Sequence, residues 1–135
     1  MTVEKLNPFS FGSFGYYSQG MKIDLGTKTL IMTAGQIALN DEGKPVAPGD
    51  YTAQAKFIFE RIKQVLGAAG ANIDDVVKAQ FFIKDVSKYS EVNAVRNEYF
   101  VNARPATTMV EISNTVAEGC DIEIEVMAVI DNEQM

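Results

Sequence analysis

The chain has 135 residues, the length of a single domain, and a chain of this size buries about two thirds of its unfolded surface in one core. With 47% hydrophobic and 22% charged residues it lacks the composition of a disordered protein, so we expect one globular domain over residues 1–135. The formal net charge of −6 repels phosphate backbones, so nucleic acid is not expected as a partner.

The first half of the chain predicts a β-hairpin followed by a helix. Residues 21–25 alternate apolar and polar side chains, and the β-prone run TLIMT follows at 29–33, a pattern typical of two paired strands. Turn-forming residues over 40–49 predict an exposed loop. Asp50 can cap a helix, and apolar residues then recur at helical spacing until Gly70, a residue type that ends helices.

The second half predicts a strand, a second helix and the final strands, giving the order ββαβαββ. Residues 76–83 indicate a strand covered on both faces, and apolar residues spaced by three or four indicate a helix over about 87–100. Strict alternation over 122–130 predicts the last strand, with Glu123 and Glu125 on its polar face.

An α+β fold, with a single sheet and two helices packed on one face, is the economical way to bury both helical stripes. The opposite face of such a sheet stays uncovered, and it includes Met, Phe and Val side chains. An exposed apolar face of this kind predicts association with other copies of the chain.

The residue types that are missing restrict the chemistry. The sequence has no histidine and one cysteine, Cys120, which excludes an internal disulfide and leaves only a thiol and carboxylates for zinc, so no metal is expected. Cys120 has no basic cluster nearby, and we give it no nucleophilic role. No apolar run approaches the roughly 20 residues that span a bilayer, and the N-terminus lacks the features of a signal peptide, so we expect a cytoplasmic protein without a membrane partner.

Six short segments are spread in order over the chain. They are GYYSQG at 15–20, MTAGQI at 32–37, AAG at 68–70, VN at 92–93, RPATTMVEI at 104–112 and IEIE at 122–125. Each alone occurs often by chance, but in their joint order and spacing the chain resembles the Rid family, also called YjgF/YER057c.

This resemblance implies a chorismate-mutase-like fold and a homotrimer that binds small ligands in clefts between neighbouring subunits. It also implies an activity, because the deaminating branch of the family hydrolyses enamines and imines to a keto acid and ammonia without a cofactor. The uncovered sheet face is consistent with such an assembly.

Two positions match residues that the family uses in its site. Glu123 matches the acidic residue, and a carboxyl there can protonate an enamine carbon and then position or deprotonate the attacking water. The alternative is that Glu123 and Glu125 form the solvated side of an amphipathic strand. With the resemblance we favour Glu123 as catalytic and Glu125 as structural. Tyr17 matches a tyrosine that lines the cleft, although buried tyrosines more often serve packing.

Further positions match the family's pocket, and three of them differ in chemistry. Asn93 corresponds to a site position, or else faces solvent from its helix. Thr107 stands where deaminating members carry an arginine that forks onto the substrate carboxylate, and Met109 and Ala34 stand where many members have cysteine and serine. The pocket is therefore less polar, and a free 2-imino acid is a poor candidate substrate. Arg104 is expected at the surface rather than in the cleft.

These observations leave three functions to weigh. The favoured one is hydrolysis of a small enamine or imine other than a simple 2-imino acid, with Glu123 as the proton shuttle. The alternative is a trimeric protein that binds a small metabolite without catalysis, supported by the missing arginine and opposed by Glu123 and Tyr17. RNA cleavage or inhibition of translation, an activity reported for some family members, is disfavoured by the acidic balance and by the absence of histidine.

Overall fold

The computed structural model describes residues 2–9 and 15–132, and it contains one mixed sheet and two α-helices. In chain order the elements are β1 (Val3–Leu6), β2 (Gly20–Asp24), β3 (Lys28–Thr33), β4 (Gln36–Ile37), α1 (Tyr51–Ala68), β5 (Val76–Ile83), α2 (Tyr89–Tyr99), β6 (Ala106–Glu111) and β7 (Ile122–Asp131). The predicted α+β class is confirmed, with a single sheet and both helices packed on one face. No helix in the described ranges is long and apolar enough to cross a membrane.

The last strand in sequence occupies the middle of the sheet. The strand order is β1-β2-β3-β7-β5-β6, and the short β4 pairs with β7 beyond the end of β3. β5 and β6 run parallel, whereas the other pairs are antiparallel. The predicted hairpin is confirmed as β2 and β3, in which Met21 lies opposite Met32.

Helix α1 begins and ends close to the predicted positions. The Asp50 carboxylate accepts a hydrogen bond from the Ala53 N–H at 3.0 Å, which satisfies one free donor of the first turn. At the other end Gly70 has a φ of +82°, a conformation that favours glycine. This turn lets the Ala71 N–H donate to the Leu66 carbonyl at 2.9 Å, which ends the helix.

The core lies between the helices and one face of the sheet. The ring of Phe59 on α1 lies 6.1 Å from Phe81, 4.6 Å from Tyr99 and 5.1 Å from Phe100, measured between ring centres. One side chain therefore joins α1 to both β5 and α2, and burying it contributes roughly 1.5–3 kcal/mol. The fully buried strand residues on this face are Ile31, Ala79, Phe81, Ile83, Ile122, Ile124 and Ala128.

The opposite face of the sheet carries the alternate residues of the same strands. Glu123, Glu125 and Met127 project there, because their neighbours on β7 are buried under the helices. Met127 and Val110 are each 41% exposed. Neither helix covers this face, as the sequence predicted.

Two short strands and one helix boundary differ from the sequence pattern. β1 and β4 have four and two residues, too few for a recognisable period, and neither was predicted. The second helix begins at Tyr89 because a 3₁₀ turn, Val86–Lys88, precedes it. Asp85 caps that turn by accepting a hydrogen bond from the Ser87 N–H at 3.0 Å.

Candidate functional site

A cavity of about 310 Å³ opens where the sheet is interrupted between β3 and β4. Glu123, Tyr17 and Ala34 line it, so three of the six residues predicted for the site meet in one place. Gly35 and Arg61 line it as well. Ligand pockets are on the order of 300–1,000 Å³, so this cavity, called the Glu123 cavity below, suits a small metabolite.

The interruption at Ala34 and Gly35 creates the opening. Thr33 ends β3 and Gln36 begins β4, and both strands pair with β7. Two side-chain hydrogen bonds hold this region: the Val126 N–H donates to Thr33 Oγ1 at 3.1 Å, and Gln36 Nε2 donates to the Ala34 carbonyl at 3.1 Å. Side chains thus satisfy backbone groups where the chain leaves the regular strand pattern.

Glu123 reaches the cavity because β7 alternates its side chains between two faces. Ile122 and Ile124 are fully buried, whereas Glu123 projects to the other side, in register with Ile37 of β4. Gly35 provides the space for the carboxyl, since a Cβ at Gly35 would lie 2.7 Å from the Glu123 carboxyl carbon. A side chain at position 35 would therefore displace the acid.

The surroundings of Glu123 favour its neutral form. Burial, and secondly the negative charge of Glu125, raise the pKa of Glu123 above its usual range. No hydrogen bond from the described part of the chain opposes this shift. The group can therefore carry a proton to a bound molecule and recover it later.

Arg61 of α1 and Phe9 form another wall of the cavity. The guanidinium carbon of Arg61 lies 4.3 Å from the centre of the Phe9 ring and 4.9 Å from that of Phe57. Phe9 is fixed by Gln19, because the Phe9 N–H donates to Gln19 Oε1 at 3.0 Å and Gln19 Nε2 donates to the Phe9 carbonyl at 3.2 Å. Arg61 Nη2 also pairs with Asp41 at 2.8 Å.

Thr107 lies on the helix side of the sheet, away from Glu123. It is in register with Ala79 and Val126, which are both buried under the helices. It lines a second cavity of about 600 Å³, called the Thr107 groove below. Its hydroxyl donates to the Pro105 carbonyl at 2.9 Å, so this donor is already used within the chain.

Arg96 and Arg104 also line the Thr107 groove. Arg96 donates to the Tyr89 hydroxyl at 3.1 Å and to the side-chain oxygen of Asn93. Asn93 therefore contacts a residue that lines the groove. Arg104 is exposed, as predicted, and has a φ of +45° directly before Pro105. That conformation is strained for a residue with a side chain.

Met109 completes the set of predicted residues. It is in register with Phe81 of β5 and packs against the core. The six predicted residues therefore form two groups on different sides of the sheet: Tyr17, Ala34 and Glu123 in one, and Asn93, Thr107 and Met109 in the other. Within one chain the structure does not bring the two groups together.

Arg61 and Gly35 are parts of the cavity that the sequence did not reveal. Arg61 stands outside the apolar stripe of α1, where a polar residue normally faces solvent. The available signal was its spacing of four residues from Phe57, which places the two side chains together on the helix surface. Gly35 lies inside a family-like segment, but its contact with Glu123 depends on the tertiary fold.

Among the described residues, Cys120 and the acidic side chains form neither a reactive thiol site nor a metal site. Cys120 is buried, and burial raises the pKa of its thiol. Its Sγ donates to the Ala38 carbonyl at 3.5 Å. Within residues 2–9 and 15–132, no group of three His, Cys, Asp or Glu side chains is placed to hold a metal ion.

Known proteins resemble this chain in sequence and in structure. The family model described as Endoribonuclease L-PSP matches residues 10–130. A RutC family protein of Pyrococcus abyssi is 37% identical over 114 residues, which cover 84% of this chain and 86% of that protein. The 2-iminobutanoate/2-iminopropanoate deaminase of Escherichia coli is 38% identical over 120 residues, covering 87% and 89%. A crystal structure of a Mycobacterium tuberculosis member of the YjgF/YER057c/UK114 family matches with a TM-score of 0.79 and 30% identity, covering 96% of this chain and 100% of that one.

Proposed function

The chain belongs to the Rid family, also named YjgF/YER057c, and on that premise we propose that it hydrolyses a small enamine or imine to a carbonyl product and ammonia. The observation that carries the proposal is the Glu123 cavity, a small space that contains a carboxyl of raised pKa. The name of the Escherichia coli relative, an imine deaminase, supports the reaction class.

Glu123 acts in this proposal first as an acid and then as a base. The neutral carboxyl donates its proton to the enamine carbon while the nitrogen lone pair forms the C=N bond of an iminium ion. The carboxylate then takes a proton from water as the water oxygen adds to the iminium carbon. The hydroxyl proton of the resulting carbinolamine then passes through water to the amino nitrogen as the C–N bond breaks and the C=O bond forms. Ammonia leaves with the carbonyl product, one water is consumed, and Glu123 keeps the proton that it took from the attacking water.

Thr107 argues against a simple 2-imino acid as the substrate. A contact between a guanidinium and a carboxylate contributes about 1.5–3 kcal/mol, which corresponds to about one to two decades in affinity. Thr107 has no cation, and its hydroxyl already donates to Pro105. The proposed substrate is therefore a small enamine or imine of another kind.

The same residue favours a second function, the binding of a small metabolite without catalysis. A pocket that has lost the carboxylate-binding arginine can keep its shape and hold a ligand without orienting it for reaction. Glu123, with its raised pKa, opposes this alternative because such a group is costly to keep without a use. Release of ammonia from a bound enamine separates the two functions.

We place the complete site between copies of the chain in a homotrimer. Thr107 and Glu123 project to opposite sides of one sheet, so a neighbouring copy is needed to bring these two positions together. The open sheet face, with Met127 and Val110 partly exposed, offers apolar contact area for such copies. Light scattering tests this assembly, and the mass of one chain persisting at micromolar concentration would remove the shared site.

The functional test restores the missing cation and then removes the acid. Thr107→Arg is expected to give measurable hydrolysis of 2-aminoacrylate, formed in the assay by a pyridoxal-phosphate dehydratase, whereas the parent protein hydrolyses it weakly. Adding Glu123→Gln should abolish this gain, since proton transfer contributes about 10²–10⁴-fold. Ammonia release is measured, after circular dichroism has shown that the larger arginine leaves the melting temperature unchanged.

Two results would contradict parts of the proposal. A folded Thr107→Arg protein that binds a 2-keto acid but releases no ammonia would favour the binding protein. Hydrolysis that survives Glu123→Gln would be consistent with the cavity as the site but would show that another group transfers the proton. Tyr17 would then be the first residue to test.

A further inference from the structure

Arg61 brings a cation into the Glu123 cavity from the same chain. It projects from α1 and lines this cavity together with Glu123. Arg96 and Arg104 line the Thr107 groove instead. Within the described lining of the Glu123 cavity, Arg61 is therefore the basic residue that an anionic ligand meets.

The contacts of Arg61 fix its guanidinium but leave donors available. Its side chain is 13% exposed, and the rings of Phe9 and Phe57 hold the group at 4.3 and 4.9 Å. One nitrogen donates to Asp41, whose side chain is 68% exposed. No other hydrogen bond joins this guanidinium to residues 2–9 or 15–132. An exposed carboxylate is a weak partner, so the carboxylate of a ligand can join Asp41 or replace it.

The separation of Arg61 from Glu123 sets the kind of ligand that reaches both. Among the described residues no contact within 4.0 Å joins an Arg61 nitrogen to a Glu123 carboxyl oxygen, so the guanidinium and the carboxyl are not directly paired. The cavity volume of about 310 Å³ lies at the lower end of the range of about 300–1,000 Å³ found for ligand pockets. A ligand with several carbons fits this space and extends from one group to the other.

We propose that Arg61 binds the carboxylate of the substrate, and that the substrate is an enamine or imine acid whose carboxylate is separated from the reacting carbon by intervening carbons. This inference rests on the proposed function, because it places the reacting carbon at Glu123. A 2-imino acid carries its carboxylate directly on that carbon, beside Glu123 and away from the guanidinium. The planar fork of an arginine pairs with both oxygens of a carboxylate, which gives the ligand a fixed direction.

Binding of stable carbonyl analogues tests the inference without any turnover. In 4-oxopentanoate two methylene groups separate the carboxylate from the carbonyl, in 2-oxobutanoate the two are adjacent, and 2-pentanone has no carboxylate. NMR titration of the parent protein is expected to show the tightest binding for 4-oxopentanoate. Arg61→Gln should weaken that binding by about ten- to a hundredfold and leave 2-pentanone unaffected.

Two matched variants separate ligand binding from a structural role of Arg61. Lys63→Gln removes an exposed cation of the same helix and should change nothing. Asp41→Asn removes the carboxylate that competes for Arg61, so 4-oxopentanoate should bind as tightly or more tightly. If Arg61 serves only to hold Asp41, Asp41→Asn will instead weaken binding as much as Arg61→Gln does, which would overturn the inference.

The remaining outcomes distinguish this inference from the proposed function. Equal binding of 4-oxopentanoate by the parent and by Arg61→Gln, or tighter binding of 2-oxobutanoate, would overturn the role of Arg61 and leave a Glu123-dependent hydrolase intact. Arg61-dependent binding without ammonia release from any enamine would keep the role of Arg61 and overturn the hydrolase. If Arg61→Gln does not fold, Arg61→Met, an uncharged side chain that can keep apolar contact with Phe9 and Phe57, replaces it, and unchanged binding by that variant would overturn the inference.

Discussion

The Glu123 cavity and the Thr107 groove differ in the charges that they contain. The cavity combines a half-buried carboxyl with Arg61, whereas the described lining of the groove has two arginines and no acidic side chain. In the groove the Thr107 hydroxyl donates to the Pro105 carbonyl. In the cavity the Glu123 carboxyl receives no hydrogen bond from the described residues. The difference teaches that within one chain the acid for proton transfer and the cations of the groove lie in separate parts of the fold, so only the proposed contact between copies would bring them together.

The largest expected effect comes from removing the acid of the cavity. Glu123→Gln should lower the rate of imine hydrolysis by about 10²–10⁴-fold, because an amide cannot donate and recover the proton. Glu125→Gln changes the same face of β7 and is the matched control, with a much smaller expected loss, because Glu125 is only the secondary cause of the raised pKa of Glu123. The rate of ammonia release at saturating substrate measures both. Equal losses would show that activity depends on the negative charge of the whole sheet face, and would contradict the assignment of proton transfer to Glu123.

A smaller effect is expected from filling the space beside that acid. Gly35→Ala places a Cβ against the Glu123 carboxyl and should lower kcat by up to about 10²-fold through displacement of the acid. Gly67→Ala is the control, since its added Cβ in α1 meets nothing within 4 Å, and helix propensity stabilises it by up to about 1 kcal/mol. Steady-state kinetics and thermal melts measure the pair. Full activity in Gly35→Ala would contradict the close fit described for the cavity.

The groove can be probed at its strained residue. Arg104→Gly relieves a φ of +45° and should raise the free energy of unfolding by up to about 1 kcal/mol. Denaturant unfolding measures this change, and NMR titration should show unaltered binding of 4-oxopentanoate. Weaker binding in this variant would assign the carboxylate to the groove instead of to the cavity.

The smallest expected effect is a stability difference that depends on pH. Burial raises the pKa of Glu123, so the stability that its protonated form provides is complete at low pH and is lost as the pH rises through the folded-state pKa. Glu123→Gln removes that loss and should melt at a higher temperature than the parent at pH 8, with the difference shrinking as the pH falls toward 4. Calorimetry over this range measures it. A variant that is less stable at pH 8 would mean that a cation stabilises the carboxylate.

Long periodic elements could be predicted from the sequence, whereas short ones could not. The strand over 76–83 and the helix capped by Asp50 are confirmed, because their patterns extend over enough residues to define a period. β4 has two residues, and its strand conformation is imposed by pairing with residues 123–124 of β7. Such a contact, distant in sequence, leaves no local pattern.

The candidate site could be predicted as single residues but not as an arrangement. Alternation along β7 already placed Glu123 opposite the buried face. The side of the sheet on which Thr107 lies depends on the parallel register of β6 with β5, which alternation alone does not fix. Arg61 enters the cavity because Phe9 packs on α1, and this contact joins residues 52 positions apart.

β7 joins two parts of the sheet that are far apart along the chain. β3 and β5 each pair with β7 and not with each other. Gln54 is fully buried in α1. It donates to the Gly119 carbonyl at 2.9 Å and accepts from the Asp121 N–H at 2.8 Å. The contacts at the start of this helix are therefore complete only when the segment before β7 is present. During synthesis the sheet therefore cannot close until residue 131 has left the ribosome. Chains that stop before Ile122 keep two open strand edges, the condition under which β-proteins aggregate.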